Sequence, residues 1–207
     1  GDGGKVSVNG TVYEDADVYA FVKNNGGKVA VYKENLYKPM PGYRFIASNT
    51  DRSRYYVGEL NGKSSKQAYM DALHISESNI INQTFHNPLG KMNGQDICII
   101  SLKEVSGNGL CCYRQVNDSD VLVLLEEQDY NEILDETLQR IRRDFNHISG
   151  VFSINCVFRY LLFSQEHHME DYLKTMSTLG EHAGLIGFGE HYNQQFVNQT
   201  MTCVVFE

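Results

Sequence analysis

The chain has 207 residues, 42% of them hydrophobic and 21% charged; that suits one substantial globular domain, able to hide roughly 70% of the surface an unfolded chain exposes. Eighteen basic residues against 26 acidic ones leave a net charge of −8, which repels phosphate backbones and anionic membranes and argues against nucleic acid as a partner. Five cysteines, odd in number and without C-x-x-C spacing, read as free thiols of a reducing, cytoplasmic protein rather than a disulfide framework or a metal site.

The N-terminus, Gly1-Asp2-Gly3-Gly4, lacks signal-peptide character, and the longest aliphatic run, Val121–Leu125, is far too short to span a bilayer. Asn9, Asn82, Asn117 and Asn198 each open an N-x-S/T triplet, read as chance or turn residues in a cytoplasmic chain. Val18–Lys23 and Lys28–Lys33 alternate in polarity around Asn24-Asn25-Gly26-Gly27, which predicts a β-hairpin. Pro39-Met40-Pro41-Gly42 predicts an interruption, with a boundary near residue 41 that divides the chain into 1–41 and 42–207. Tyr43–Ser48 and Tyr55–Leu60 read as paired strands.

Ser64 with Gln67 is a capping box before Ala68, Tyr69, Ala72 and Leu73, and Ser76 caps a second short helix that Asn87-Pro88-Leu89-Gly90 ends. Asp96–Leu102, Leu110–Val116 and Val121–Glu126 predict an antiparallel meander. Asp129 with Glu132 caps a long helix striped by Leu134, Leu138, Ile141 and Phe145, its last turns carrying Arg140, Arg142 and Arg143. Val151–Phe158 reads as a buried strand, Ser164 as the start of a helix closed by Gly180, and Gly184–Gly189 and Thr200–Phe206 as the final strands. Together these predict an α+β fold, mostly antiparallel sheets with helices packed against them.

Several of these punctuated segments, in order, carry a resemblance: Lys66–Leu73, Asn87-Pro88-Leu89-Gly90, Tyr113-Arg114, Phe152-Ser153-Ile154-Asn155-Cys156-Val157-Phe158-Arg159, Gly187-Phe188-Gly189-Glu190, and Asn198-Gln199-Thr200. From about Tyr43 to Glu207 the chain resembles the C-terminal part of the FIST sensory family (F-box and intracellular signal transduction), and residues 1–41 look like the closing hairpin of that family's N-terminal half. Val157-Phe158 are bulkier than the family's usual small residue, and the glycine-glutamate motif is shorter. The resemblance implies a module of a bacterial-type signalling protein that binds a small ligand, amino acids among the proposals, and reports to an output domain in the same or a partner chain. It brings no cofactor, metal or established catalytic residue.

Arg159, at the expected end of a buried strand, can fork onto a carboxylate of a ligand or pair with Glu190 in the protein itself; together Arg159 and Glu190 can clamp both ends of an amino acid. Arg114, Asn155, Gly187, Gly189 and Asn198 complete the candidate ligand site. Gly184, Gly187 and Gly189 follow the order G-x-x-G-x-G with no helix behind, so they read as bulge or close-packing glycines instead of a phosphate loop. Cys156, with His167, His168, His182 and His191 downstream, offers a nucleophile reading against that of an inert packed thiol. His167 and Glu170 share a helical face without a third ligand. The rival functions are an enzyme using Cys156 or Glu190, and a dimerisation or interaction domain, with a homodimer as the assembly.

Overall fold

A computed structural model describes residues 4–94 and 96–207; Gly1, Asp2 and Gly3, which entered the reading of the N-terminus, lie outside them. Among the described residues, strands β1 (Lys5–Val8) and β2 (Thr11–Glu14) pair only with each other. After a stretch without regular structure come β3 (Val29–Asn35), β4 (Tyr37–Asp51), β5 (Tyr56–Leu60) and the two-residue β6 (Lys63–Ser64). Helices α1 (Ser65–Leu73) and α2 (Ile80–Gln83) precede β7 (Leu89–Asn93), β8 (Asp96–Ile100), β9 (Leu102–Ser106), β10 (Gly109–Cys112) and β11 (Val121–Glu127). Helix α3 (Tyr130–Asp144) leads to β12 (Gly150–Cys156), α4 (Val157–Gln165) and α5 (Met169–Met176). The chain closes with β13 (Glu181–Gly187), the hairpin β14 (Glu190–Tyr192) and β15 (Gln195–Val197), and β16 (Thr200–Phe206).

The architecture is α+β, as the sequence predicts. The larger sheet runs β8-β7-β11-β4-β5-β10-β9 with β6 beside β5, and the smaller runs β13-β12-β16-β3. All these pairings are antiparallel except β12 with β13, a parallel pair whose return passes through α4 and α5 as such a crossover requires. The chain steps from one sheet to the other at Leu36, which is wholly buried. One core packs α3, α4 and α5 with the smaller sheet, through Tyr32, Leu138, Ile141, Leu162, Phe163, Tyr172 and Val205 among others; a second packs α1 on the larger sheet through Tyr69, Ala68, Val57 and Leu110.

The predicted caps form. Ser64 Oγ accepts from the Gln67 amide, and Asp129 Oδ1 accepts from the amides of Asn131 (2.8 Å) and Glu132 (3.1 Å), relieving two of the unpaired N–H groups at the start of α3. Asp129→Ala should therefore cost about 1 kcal/mol in a urea-unfolding experiment, with the native circular dichroism spectrum unchanged.

Five predicted elements take a different form. The hairpin around Asn24–Gly27 is absent: Val18–Lys23 has no strand partner, and β3 pairs along its whole length with β16, from Val29 opposite Phe206 to Asn35 opposite Thr200. That register places Tyr32 and Glu34 under the helices, so burial outweighs the local turn signal. Pro39–Gly42, the expected boundary, lies inside β4; a register shift opposite Val123 and Leu125 carries this segment, with Gly42 at φ +86°, past the ladder without breaking the strand. The three-strand meander is instead distributed: β8 pairs with β7, β10 sits between β9 and β5, and β11 runs between β7 and β4. Finally, Val157–Phe158 begin α4 rather than end a strand, and the helix predicted from Ser164 is two helices, α4 and α5, separated where His167 takes φ +54°.

Candidate functional site

The smaller sheet turns one face to α4 and α5, and alternation decides which residues meet there. On β12, Val151, Ser153 and Asn155 face the helices, while Phe152, Ile154 and Cys156 face away. Asn155 lies opposite Met201 on β16, and Met201 opposite Glu34 on β3, so Asn155 and Glu34 share one row two strands apart. Arg159, in the first turn of α4, folds over this row and is 1% exposed; its Nη2 donates to Glu34 Oε1 in a wholly buried ion pair. The guanidinium also lies 4.6 Å from the Phe163 ring centre and 5.6 Å from that of Tyr172.

This pairing corrects the expected partnership of Arg159 with Glu190, and moves Arg159 from a strand end to a helix. It also leaves the pair underused. Arg159 Nε and Nη1, Glu34 Oε2 and Asn155 Oδ1 are buried without a hydrogen-bond partner among the described residues, a costly condition that native interiors rarely tolerate without reason.

Beside the ion pair, starting at the Tyr172 ring that the guanidinium faces, runs a separate polar chain. Asn155 Nδ2 donates to the Tyr172 hydroxyl (2.9 Å), Tyr172 donates to Ser153 Oγ (3.4 Å), and Ser153 Oγ lies 2.9 Å from His182 Nε2 on β13. These four side chains, with Leu173 and Ile186, line a cavity of about 260 Å³ between α5 and β13. Burial pushes the His182 pKa below its usual value and the Tyr172 phenol above its own, so both are neutral at pH 7 and the cavity wall is uncharged. Gly184 makes the Ser153–His182 contact possible, because a Cβ there would stand 2.5 Å from Ser153 Oγ.

A second polar group lies on the other side of the same strand end. Glu190 is 2% exposed; its Oε2 accepts from Thr200 Oγ1 at 2.7 Å, and its Oε1 has no partner among the described residues. Burial raises its pKa from 4.5 to about 7, against the opposing pull of the Thr200 hydroxyl, the Cys156 thiol and the more distant Arg159 charge. Asn198 Nδ2 is likewise buried and unpartnered. Gly189, at φ +111°, holds the chain close: a Cβ would meet the Phe196 ring at 2.7 Å and Asn198 Oδ1 at 3.1 Å. Gly187 lies opposite Cys156 on the parallel strand.

Cys156 is buried, and burial followed by the Glu190 charge raises its pKa above the usual value despite nearby amides of Gln199, Phe158 and Arg159. The thiol is therefore held in its protonated, weakly nucleophilic form. The histidine contact of this region goes to Ser153 instead. His167 lies in the bend between α4 and α5, Glu170 pairs with Lys174 at 2.9 Å, and among the described residues no group of three or more His, Cys, Asp or Glu is placed to hold a metal ion.

Arg114 stands apart from Arg159. It is half-buried on the loop after β10, donates from Nη1 to the Phe196 carbonyl (2.9 Å), and lines a separate groove. Of the predicted site residues, then, Asn155 and Arg159 share one polar centre, Glu190, Asn198, Gly187 and Gly189 form another across the strand end, and Arg114 belongs to neither. Glu34, Ser153, Tyr172 and His182 were missing from the predicted set. Only Glu34 left a usable trace, a charge two residues after Tyr32 on the inward face of an alternating run.

The fold is an α+β domain in which charged groups are held inside and left incompletely paired among the described residues. Comparison with known proteins gives the family: the FIST C domain matches residues 66–193, more than half of the chain. The chain belongs to the FIST family, a family of sensory signal-transduction modules rather than of known enzymes. No curated protein and no solved structure matches it. Among the described residues no helix is long and apolar enough to cross a membrane.

Proposed function

We propose that this chain is the small-ligand-binding sensory module of a signal-transduction protein, and that its ligands are small polar metabolites of the amino-acid type. One observation carries the reading: a fully buried guanidinium is bound to its carboxylate through a single nitrogen, while two of its donors and the neighbouring acceptors stay unpartnered. A carboxylate ligand would satisfy the donors of Arg159, and an ammonium group the acceptors Asn155 Oδ1 and Glu34 Oε2. The cavity at Ser153, Asn155, Tyr172 and His182 reaches Asn155 and the Tyr172 ring beside the guanidinium, and would be the approach once that wall opens.

Signalling would follow from differential binding. A conformer that opens the row of Glu34, Met201 and Asn155 to the cavity gains those hydrogen bonds only when ligand is present, and occupancy then shifts the population seen by an output domain in the same or a partner chain.

The test is a thermal-shift screen of the twenty amino acids and related small carboxylates, followed by calorimetry on any that bind. At a hundredfold excess over Kd a true ligand stabilises the fold by about 2.7 kcal/mol. Arg159→Lys, which keeps the charge and loses the planar donors, should weaken binding at least tenfold. A panel without a shift, or a ligand indifferent to Arg159→Lys, would overturn the reading.

A further inference from the structure

The groove that holds Arg114 has a volume of about 680 Å³ and lies apart from both buried polar centres. It is lined by Tyr55, Tyr113 and Phe196, by Lys91 and Arg114, and by the amides of Asn93, Gln115 and Asn117, with Met92 and Cys98 between them. No carboxylate lines it, although acidic residues outnumber basic ones in the whole chain by eight.

Its three aromatic side chains are left open to solvent, at 42% for Tyr55, 49% for Tyr113 and 40% for Phe196. Three exposed rings around one concavity are unusual for a surface that meets only water. Tyr55 is held there by a backbone at φ +54°, a conformation few non-glycine residues adopt and one that the chain must stabilise by other contacts. The charges are placed differently from one another. Lys91 is matched by Asp120 at 2.5 Å, whereas Arg114 spends Nη1 on the Phe196 carbonyl, and its Nε and Nη2 make no hydrogen bond to the described residues. Those two nitrogens form the side-on fork that suits a carboxylate or phosphate.

We infer that this groove is a second ligand site, one for a nucleoside monophosphate. The phosphate takes the Nε–Nη2 edge of Arg114, the base stacks against the tyrosine and phenylalanine rings, and Asn93, Gln115 and Asn117 supply donors and acceptors for the base edge. A simple anion would have no use for the rings, and an apolar ligand none for the unspent guanidinium edge.

The groove is also joined to both polar centres. Tyr113 packs edge-on against Phe158 with ring centres 5.2 Å apart, and Phe158 is the neighbour of Arg159 in α4. Phe196 lies against Gly189 and next to Val197, which pairs with Glu190. A ligand that clamps Tyr113 and Phe196 thus presses on the two segments that carry the buried charges, which makes the groove a site for a co-ligand that tunes the sensor.

Calorimetric titration of the chain with AMP, GMP, CMP and UMP tests this. At least one should bind saturably, with the matching nucleoside and inorganic phosphate each at least tenfold weaker. Arg114→Ala should weaken binding tenfold or more, and Asn93→Asp, which places a carboxylate in the groove at an exposed position, should do the same if Arg114→Ala proves poorly folded. Asp129→Ala, at the cap of α3 and outside the groove lining, should leave nucleotide affinity unchanged, and nucleotide binding is read without any ligand of the Arg159 centre, so failure here is distinct from failure of the reading proposed above. Absence of binding by all four nucleotides at millimolar concentration, or affinity indifferent to both groove substitutions, would overturn the inference.

Discussion

Replacing Arg159 with methionine should destabilise the chain by about 3–5 kcal/mol, because Glu34 would be left as a buried carboxylate with no partner. Both side chains of the pair are 1% exposed, so neither can turn to water without opening the α4 contact with the smaller sheet. A domain of this size has about 5–15 kcal/mol of total stability, so the single substitution consumes a large share of it. Removing both charges together, as Arg159→Met with Glu34→Leu, should cost markedly less than Arg159→Met alone, since the uncompensated charge disappears. Urea unfolding of the two single variants and the double variant gives the coupling directly. A loss below 1 kcal/mol for Arg159→Met would mean that the pair is not buried as described. The same comparison bears on function: if the double variant is the more stable one, then the wild-type chain retains an incompletely satisfied ion pair at a cost in stability, as a polar receptor would.

Glu190 should make stability fall as pH rises. Its pKa is raised from 4.5 to about 7 by burial, so between those values the folded chain holds a proton that the unfolded chain has released. Stability contributed by the neutral carboxyl is complete below pH 4.5, declines as pH climbs through the window, and is gone above about 7; the full difference is on the order of 3 kcal/mol. Glu190→Gln, which cannot ionise, should remove this slope and be more stable than wild type at pH 8. The lowered pKa values of His168 and His182 act in the opposite sense, weakening the fold as pH falls. They are common to both proteins, so the difference between the two denaturation series from pH 4.5 to 8.5 isolates Glu190. Parallel series would show that Glu190 is not buried in a neutral state.

How far the sequence alone reaches is decided by where each signal resides. Helix α3 is legible because its cap, apolar stripe and terminal arginines are all local, and β16 because its apolar run is bounded by Asn198-Gln199-Thr200. The junction of β12 and α4 is not, since Val151–Phe158 is apolar throughout and its residues favour strands; only the spacing of Arg159, Leu162 and Phe163 betrays a helix, and that spacing crosses the predicted boundary. The Asn24–Gly27 turn misleads for the opposite reason. Its chemistry is right for a hairpin, but β3 gains more by pairing along its whole length with β16 and burying Tyr32.

The candidate site shows the same division. Arg159, Glu190, Asn155 and Asn198 announce themselves as polar residues in apolar segments, and all four are buried. Their partners do not. Glu34 reaches Arg159 across 125 positions of chain, and Thr200 reaches Glu190 from β16, a strand of a different sheet. Residue type identifies which groups must be compensated; only the sheet order says by whom. Arg114, placed with the others on motif grounds, belongs to another surface because β10 lies in the other sheet.

The position of β16 between β12 and β3 has a consequence for how the protein is made. On the ribosome β3 is synthesised early, yet the strand it pairs with spans residues 200–206. The larger sheet can assemble from residues 37–127 while synthesis continues, but β3 must wait with its apolar edge unpaired, and Glu34 and Arg159 have no shared shelter until β16 arrives. Loop closure over so long a separation is slow. Nascent chains should therefore pass through a half-folded stage in which β3 is exposed to chaperones until residues 200–206 are made.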